Sequence, residues 1–114
     1  MFDFEKLTVY QKAKEYNKAI TKFLEGKQLD KVTDNQIRRA SFSIMLNIAE
    51  GTGRITRPDK RNFFVISRGS AFECVAILDY LLDNGKIQKD QFKAFYRMLE
   101  EISKMLYKMI QGLS

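Results

Sequence analysis

The 114 residues suit one domain with a single modest core and are too few for two. One Pro and six Gly favour helices over a many-turned β architecture, while the absence of His and the single Cys exclude a typical zinc site, a His-based triad and an internal disulfide. The net charge of +6 is uneven: Met1 to Asn35 carries +1, Gln36 to Arg68 carries +5 and Gly69 to Ser114 carries 0, a localised excess that points to an anionic partner, nucleic acid first.

The first predicted helix runs from about Thr8 to Glu25, with Thr8 and Gln11 at the spacing of a capping box. Val9, Ala13, Tyr16, Ile20, Phe23 and Leu24 share one side and Lys14, Lys18, Lys22 and Glu25 the other, which describes a one-faced outer helix. Gly26 to Val32 is mostly polar and reads as a turn between antiparallel neighbours.

The second helix is expected to start at a Thr33–Gln36 capping box, flanked by a Val32–Ile37 hydrophobic staple, and to run to about Glu50. Gly51 and Gly53 follow as residues able to take positive φ where it stops. At 100° per residue Ile37, Ala40, Ser41, Ile44 and Ile48 form a core stripe. Phe42, Met45, Leu46 and Ala49 form a second apolar group on a different face. A helix with two apolar faces lies between other helices or at a subunit contact, so Phe42, Met45 and Leu46, with Phe72 on the next helix, are the candidate oligomer interface.

Thr56, Pro58 and Asp59 mark the start of the third helix, which continues to Asp83, a rod of roughly 40 Å. It is also two-faced, with Phe63, Ile66, Ser70, Cys74, Ile77 and Leu81 on one stripe and Phe64, Ala71, Val75, Leu78 and Leu82 on another. Asn84-Gly85 is a stop, and Lys86 to Lys89 leads into a fourth helix ending at Gly112. Its apolar line is Phe92, Phe95, Leu99, Ile102, Leu106 and Met109. Four helices on short connections give an all-α, up-down-up-down antiparallel bundle. The longest mostly apolar runs fall far short of the roughly 18 residues a membrane span needs. The N-terminus has no signal-peptide pattern, so a cytoplasmic location is expected.

Gln36-Ile-Arg-Arg-Ala40, Ser43-Ile44, Asn47-Ile48-Ala49-Glu50-Gly51 and Gly53-Arg54, continuing through Phe63, Gly69-Ser70 and Glu73, resemble the signature of the four-helix bundle proteins encoded in intervening sequences of bacterial large-subunit ribosomal RNA genes. Members usually carry a Trp early in the first helix, where this chain has Tyr10, and a Pro in the first connection, where it has none. The resemblance implies a homopentamer. Through the related accessory variability determinants of diversity-generating retroelements, it also implies a reverse transcriptase as an alternative partner.

Ser43, Asn47 and Glu50, at i, i+4 and i+7, make a polar line with Arg39 one turn before, expected to pair across to the third helix or to another subunit. Arg54, Arg57, Lys60 and Arg61 bracket the turn after the second helix, where helix-start N–H groups also favour phosphate. Arg38, Arg39 and Arg68 extend the candidate nucleic-acid-binding set. Gly51-Thr-Gly-Arg lacks the Lys-Ser/Thr and the preceding strand of a phosphate loop. Cys74, with no His to activate it, reads as a core thiol, and Glu100-Glu101 as an exposed pair. The expected function is a non-enzymatic homo-oligomer presenting basic patches to RNA or DNA, without cofactor or metal. The alternatives are a protein-interaction adaptor and a structural assembly without a ligand.

Overall fold

Where a helix starts depends on which side chain reaches the first free backbone N–H groups, and this decides the boundaries. The structure, a computed structural model, describes residues 1–114. Its helices are α1 (Thr8–Glu25), α2 (Lys31–Thr52), α3 (Arg57–Asp83) and α4 (Lys89–Gly112), preceded by a short 3₁₀ segment at Asp3–Lys6. At α1 no side chain caps the start; Gln11 instead donates its Nε2–H to the carbonyl of Glu5, tying the 3₁₀ segment down in place of the expected capping box. At α2 the cap is Asp30, whose carboxylate accepts from the Thr33 N–H at 3.0 Å and from its hydroxyl at 2.7 Å. Thr33 is thus the capped residue and not the cap, the helix starts at Lys31, and Val32, 70% exposed, forms no staple. At α3 Thr56 caps as expected, accepting from the Asp59 N–H at 3.3 Å, with Pro58 in the first turn.

The helices run antiparallel in sequence order. Residues late in α2 meet residues early in α3 (Gly51 with Phe64, Ser43 with Ser70). Arg57 at the start of α3 reaches Gly112 at the end of α4, and Lys12 early in α1 pairs with Glu101 on α4. Each helix packs on its sequence neighbours and α1 closes the ring against α4. The 27-residue α3 spans most of the 44 Å long axis.

One face of each helix builds the core: Val9, Tyr16, Ile20 and Leu24 from α1, Ile37, Ile44 and Ile48 from α2, Leu78 and Leu81 from α3, and Leu99, Ile102 and Leu106 from α4. The stripe read for α2 is the buried one. On α3 the buried line is Phe64, Ser67, Ala71, Cys74, Leu78 and Leu81, drawn from both predicted stripes, because α3 faces α2 on one flank and α4 on the other and its core line runs between them. Ser67 can be buried there because its hydroxyl donates to the Ile44 carbonyl of α2 at 2.7 Å. Tyr16 Oη, Ser41 Oγ and Cys74 Sγ form a second buried polar link, 3.1 and 3.4 Å apart, joining α1, α2 and α3.

Gly51 lies inside α2 and is buried, not in a positive-φ stop. A Cβ there would stand 2.8 Å from the Phe64 ring and 3.0 Å from the Phe63 Cβ, so the missing side chain sets how closely α2 and α3 approach. The positive-φ position is Gly85 (φ 69), after α3, as expected for an αL residue beyond a helix end.

Candidate nucleic-acid interface

The α2–α3 turn lies at the end of the bundle where α2 and α4 finish and α3 begins. Two helix C-termini present free carbonyls there, and cations answer them. Arg57 donates from Nη2 to the Gly112 carbonyl at 2.6 Å, and Lys60 from Nζ to the Thr52 carbonyl at 2.9 Å. Arg61 donates from Nε to Ser114 Oγ at 3.2 Å. Arg54 lies 4.4 Å over the Phe63 ring and 3.4 Å from Glu50. The four cations expected to share this corner do share it, and each has a structural partner as well.

Those partners do not exhaust them. A guanidinium carries five N–H donors, and the contacts of Arg57 and Arg61 each engage one nitrogen of residues that remain exposed. The acidic residues close by are Glu50, held by Arg54, and Asp59 in the first turn of α3. Ile55 stands 94% exposed between Arg54 and Arg57. Sequence reading passed over it; an aliphatic residue inside a short basic turn was the available signal.

The other three predicted cations do not extend this corner. Arg68 sits on the α3–α4 flank, where its Nε–H donates to the Ser103 carbonyl at 3.3 Å and its guanidinium lies 4.7 Å from the Phe72 ring and 5.2 Å from the Tyr107 ring. It borders a groove of about 490 Å³ that also holds Asp79, Glu100 and Lys104, a mixed-charge surface. Arg38 and Arg39 lie on the α1–α2 flank, beside Asn17, Thr21 and Phe42. Arg38 is tied to Asp34 at 2.9 Å, and Arg39 has no ion-pair partner. Arg68 follows Arg61 by seven residues and Arg39 precedes Arg54 by fifteen, so these cations stand turns away from the corner along their helices and an excess local in sequence is divided in space.

The polar line of α2 resolves into two separate devices. Ser43 bonds across to Ser70 of α3 at 2.8 Å, and Asn47 folds back to donate to the Ser43 carbonyl and hydroxyl, both at 2.9 Å. Glu50 turns to Arg54 instead and makes no bond to Asn47. Of the candidate contact residues, Phe42, Leu46 and Phe72 are 49%, 47% and 56% exposed, whereas Met45 packs against its own core. Val65 and Ile66 add exposed apolar surface on α3.

Residues 5–108 match the model of the 23S rRNA-intervening sequence protein family. Among solved structures, a protein of unknown function from the S23 ribosomal protein family of Bacteroides thetaiotaomicron aligns with a TM-score of 0.85 and 30% identity, over 90% of this chain and 98% of that one. No curated protein matches the chain significantly.

Proposed function

The chain belongs to the 23S rRNA-intervening sequence protein family, and from that membership together with the placement of its cations we propose that it is a non-enzymatic, self-assembling bundle that binds RNA or DNA through its α2–α3 corner. The family description names 23S rRNA and the aligned solved protein is grouped with ribosomal proteins, which supports an RNA-associated role. The observation that carries the reading is the corner itself: Arg54, Arg57, Lys60 and Arg61 at one end of the bundle, with an exposed Ile55 among them, where Arg57 and Lys60 are held by carbonyls, Arg61 by a hydroxyl and only Arg54 by a carboxylate. Cations held by neutral carbonyls keep their full charge for a phosphate.

Assembly multiplies this effect. Leu46, Val65, Ile66 and Phe72 are exposed apolar side chains on α2 and α3, and a ring of copies, a pentamer on the resemblance, would cover them and repeat the basic corner by symmetry. Contacts of this kind position a phosphate backbone and do not read bases, so binding is salt-sensitive and weakly sequence-specific.

The test is retention of a structured RNA and a DNA duplex on filters at low salt, with sedimentation of the same samples. Arg57→Glu with Arg61→Glu is expected to weaken retention and to flatten the salt dependence by about two phosphate equivalents. No retention of either probe overturns the binding proposal, and a stable single chain at micromolar concentration overturns the assembly.

A further inference from the structure

The α1–α2 flank differs from the corner in one chemical respect: it sets Arg39, which has no ion-pair partner, beside an exposed aromatic ring in a shallow, open groove. The groove, about 320 Å³, is lined by Asn17 and Thr21 of α1 and by Arg38, Arg39 and Phe42 of α2. Lys14 and Lys18 precede Thr21 at i−7 and i−3, on the same side of α1 and both exposed. Arg38 and Arg39 in the lining and Lys14 and Lys18 on the adjoining side of α1 make four cations, set against Asp34, already bonded to Arg38, and Glu25, which shares that side of α1 one turn beyond Thr21. Glu15 faces the other way, beside Lys12 and Glu101 toward α4. Phe42 is half exposed; beside it the groove is lined by Asn17, Thr21, Arg38 and Arg39, while exposed Leu46 lies one turn on along α2.

We infer that this groove holds a short single-stranded segment of nucleic acid, with an unpaired base stacked on Phe42 and the flanking phosphates on Arg39 and Lys18. A ring face beside a line of cations meets both needs of a single strand, because every unpaired base offers a π-face and every linkage a phosphate. A duplex keeps its bases stacked inside and offers the groove phosphates alone, so the ring discriminates in favour of the unpaired form. Asn17 and Thr21 supply neutral donors and acceptors at the groove wall. Stacking reads neither sugar nor base identity, and uridine and thymidine tracts therefore bind alike. The inference rests on the nucleic-acid reading of the family fold but assigns a separate site, with Phe42 as a stacking platform and not a subunit contact.

The experiment is fluorescence anisotropy of the full chain with a labelled oligo-uridine, a labelled oligo-thymidine and a labelled duplex at about 50 mM salt, where phosphate contacts are strong. Phe42→Ala is expected to weaken both single strands roughly five- to a hundredfold, while Phe42→Trp restores them and duplex binding is unmoved. Arg39→Glu is expected to weaken single-strand binding and lower its salt slope by at least about one phosphate equivalent. Single-strand binding unaffected by Phe42→Ala overturns the inference. So does a Phe42→Ala chain that sediments at a smaller assembly size and loses all three probes together, since Phe42 then serves assembly. If Arg57→Glu with Arg61→Glu abolishes binding of every probe and Phe42→Ala changes none, the corner reading stands and this one falls; if the wild-type chain binds no probe, both fall.

Discussion

Two glycine-to-alanine substitutions within the same bundle should move stability in opposite directions. Gly51 is buried where α2 crosses α3, and an added Cβ meets the Phe64 ring at 2.8 Å and the Phe63 Cβ at 3.0 Å. Reaching the 3.4 Å of ordinary contact requires a buried ring and the start of a neighbouring side chain to move together, neither of which is the free end of a flexible chain. Overpacking of this kind costs about 1–3 kcal/mol, and the better helix propensity of Ala returns up to about 1 kcal/mol, leaving a net loss of about 1–2 kcal/mol. Gly69 is exposed in the middle of α3 and an added Cβ there meets nothing within 4 Å, so Gly69→Ala gains up to about 1 kcal/mol. The variants should differ by about 2 kcal/mol, or about 8 °C in melting midpoint for a chain of this size. Urea unfolding followed by circular dichroism measures this, at one fixed protein concentration because assembly shifts the apparent midpoint. A Gly51→Ala chain as stable as Gly69→Ala would refute the close-approach argument.

The Tyr16–Ser41–Cys74 link predicts a coupled pair: Ser41→Ala leaves a fully buried phenol without its oxygen partner and should cost about 1–3 kcal/mol, yet much less in a Tyr16→Phe background, as a double-mutant cycle will show. Burial pushes the Cys74 thiol up, only partly offset by hydrogen bonds with Ser41 and Tyr16, so an aromatic disulfide reagent at mildly alkaline pH should label it only as fast as the chain opens. The Thr33 hydroxyl and N–H hold the Asp30 carboxyl below its ordinary value of about 3.9, so the cap's contribution is complete above that pH and is lost as pH falls through the lowered folded value. The urea midpoints of wild type and Asp30→Ala should therefore differ at pH 7 and converge in acid; a gap that persists at low pH would contradict a charged cap.

Spacing alone gave the number of helices, the order of the bundle and the buried stripe of α2, because a 3.6-residue period and the chemistry of Thr56, Pro58 and Gly85 are local properties of the chain. Local readings failed where two local solutions compete, as at Thr33, where the spacing of a capping box was present but the Asp30 carboxylate, with two acceptor oxygens, took both donors. They failed again where a residue serves a distant partner. Gly51 was legible as a glycine near a helix end, but only the approach of Phe64 shows that it is there for lack of a side chain.

The excess of cations between Gln36 and Arg68 is written in the composition, and so is its bias toward a polyanion. Its division is not: Arg57 and Lys60 go to the carbonyls of α4 and α2, Arg68 goes to the α3–α4 flank and Arg39 opens onto α1. Charge is a property of residues and adds along a sequence in any order, whereas which cations can meet one phosphate depends on where four rods cross, and that is set only when their cores are packed.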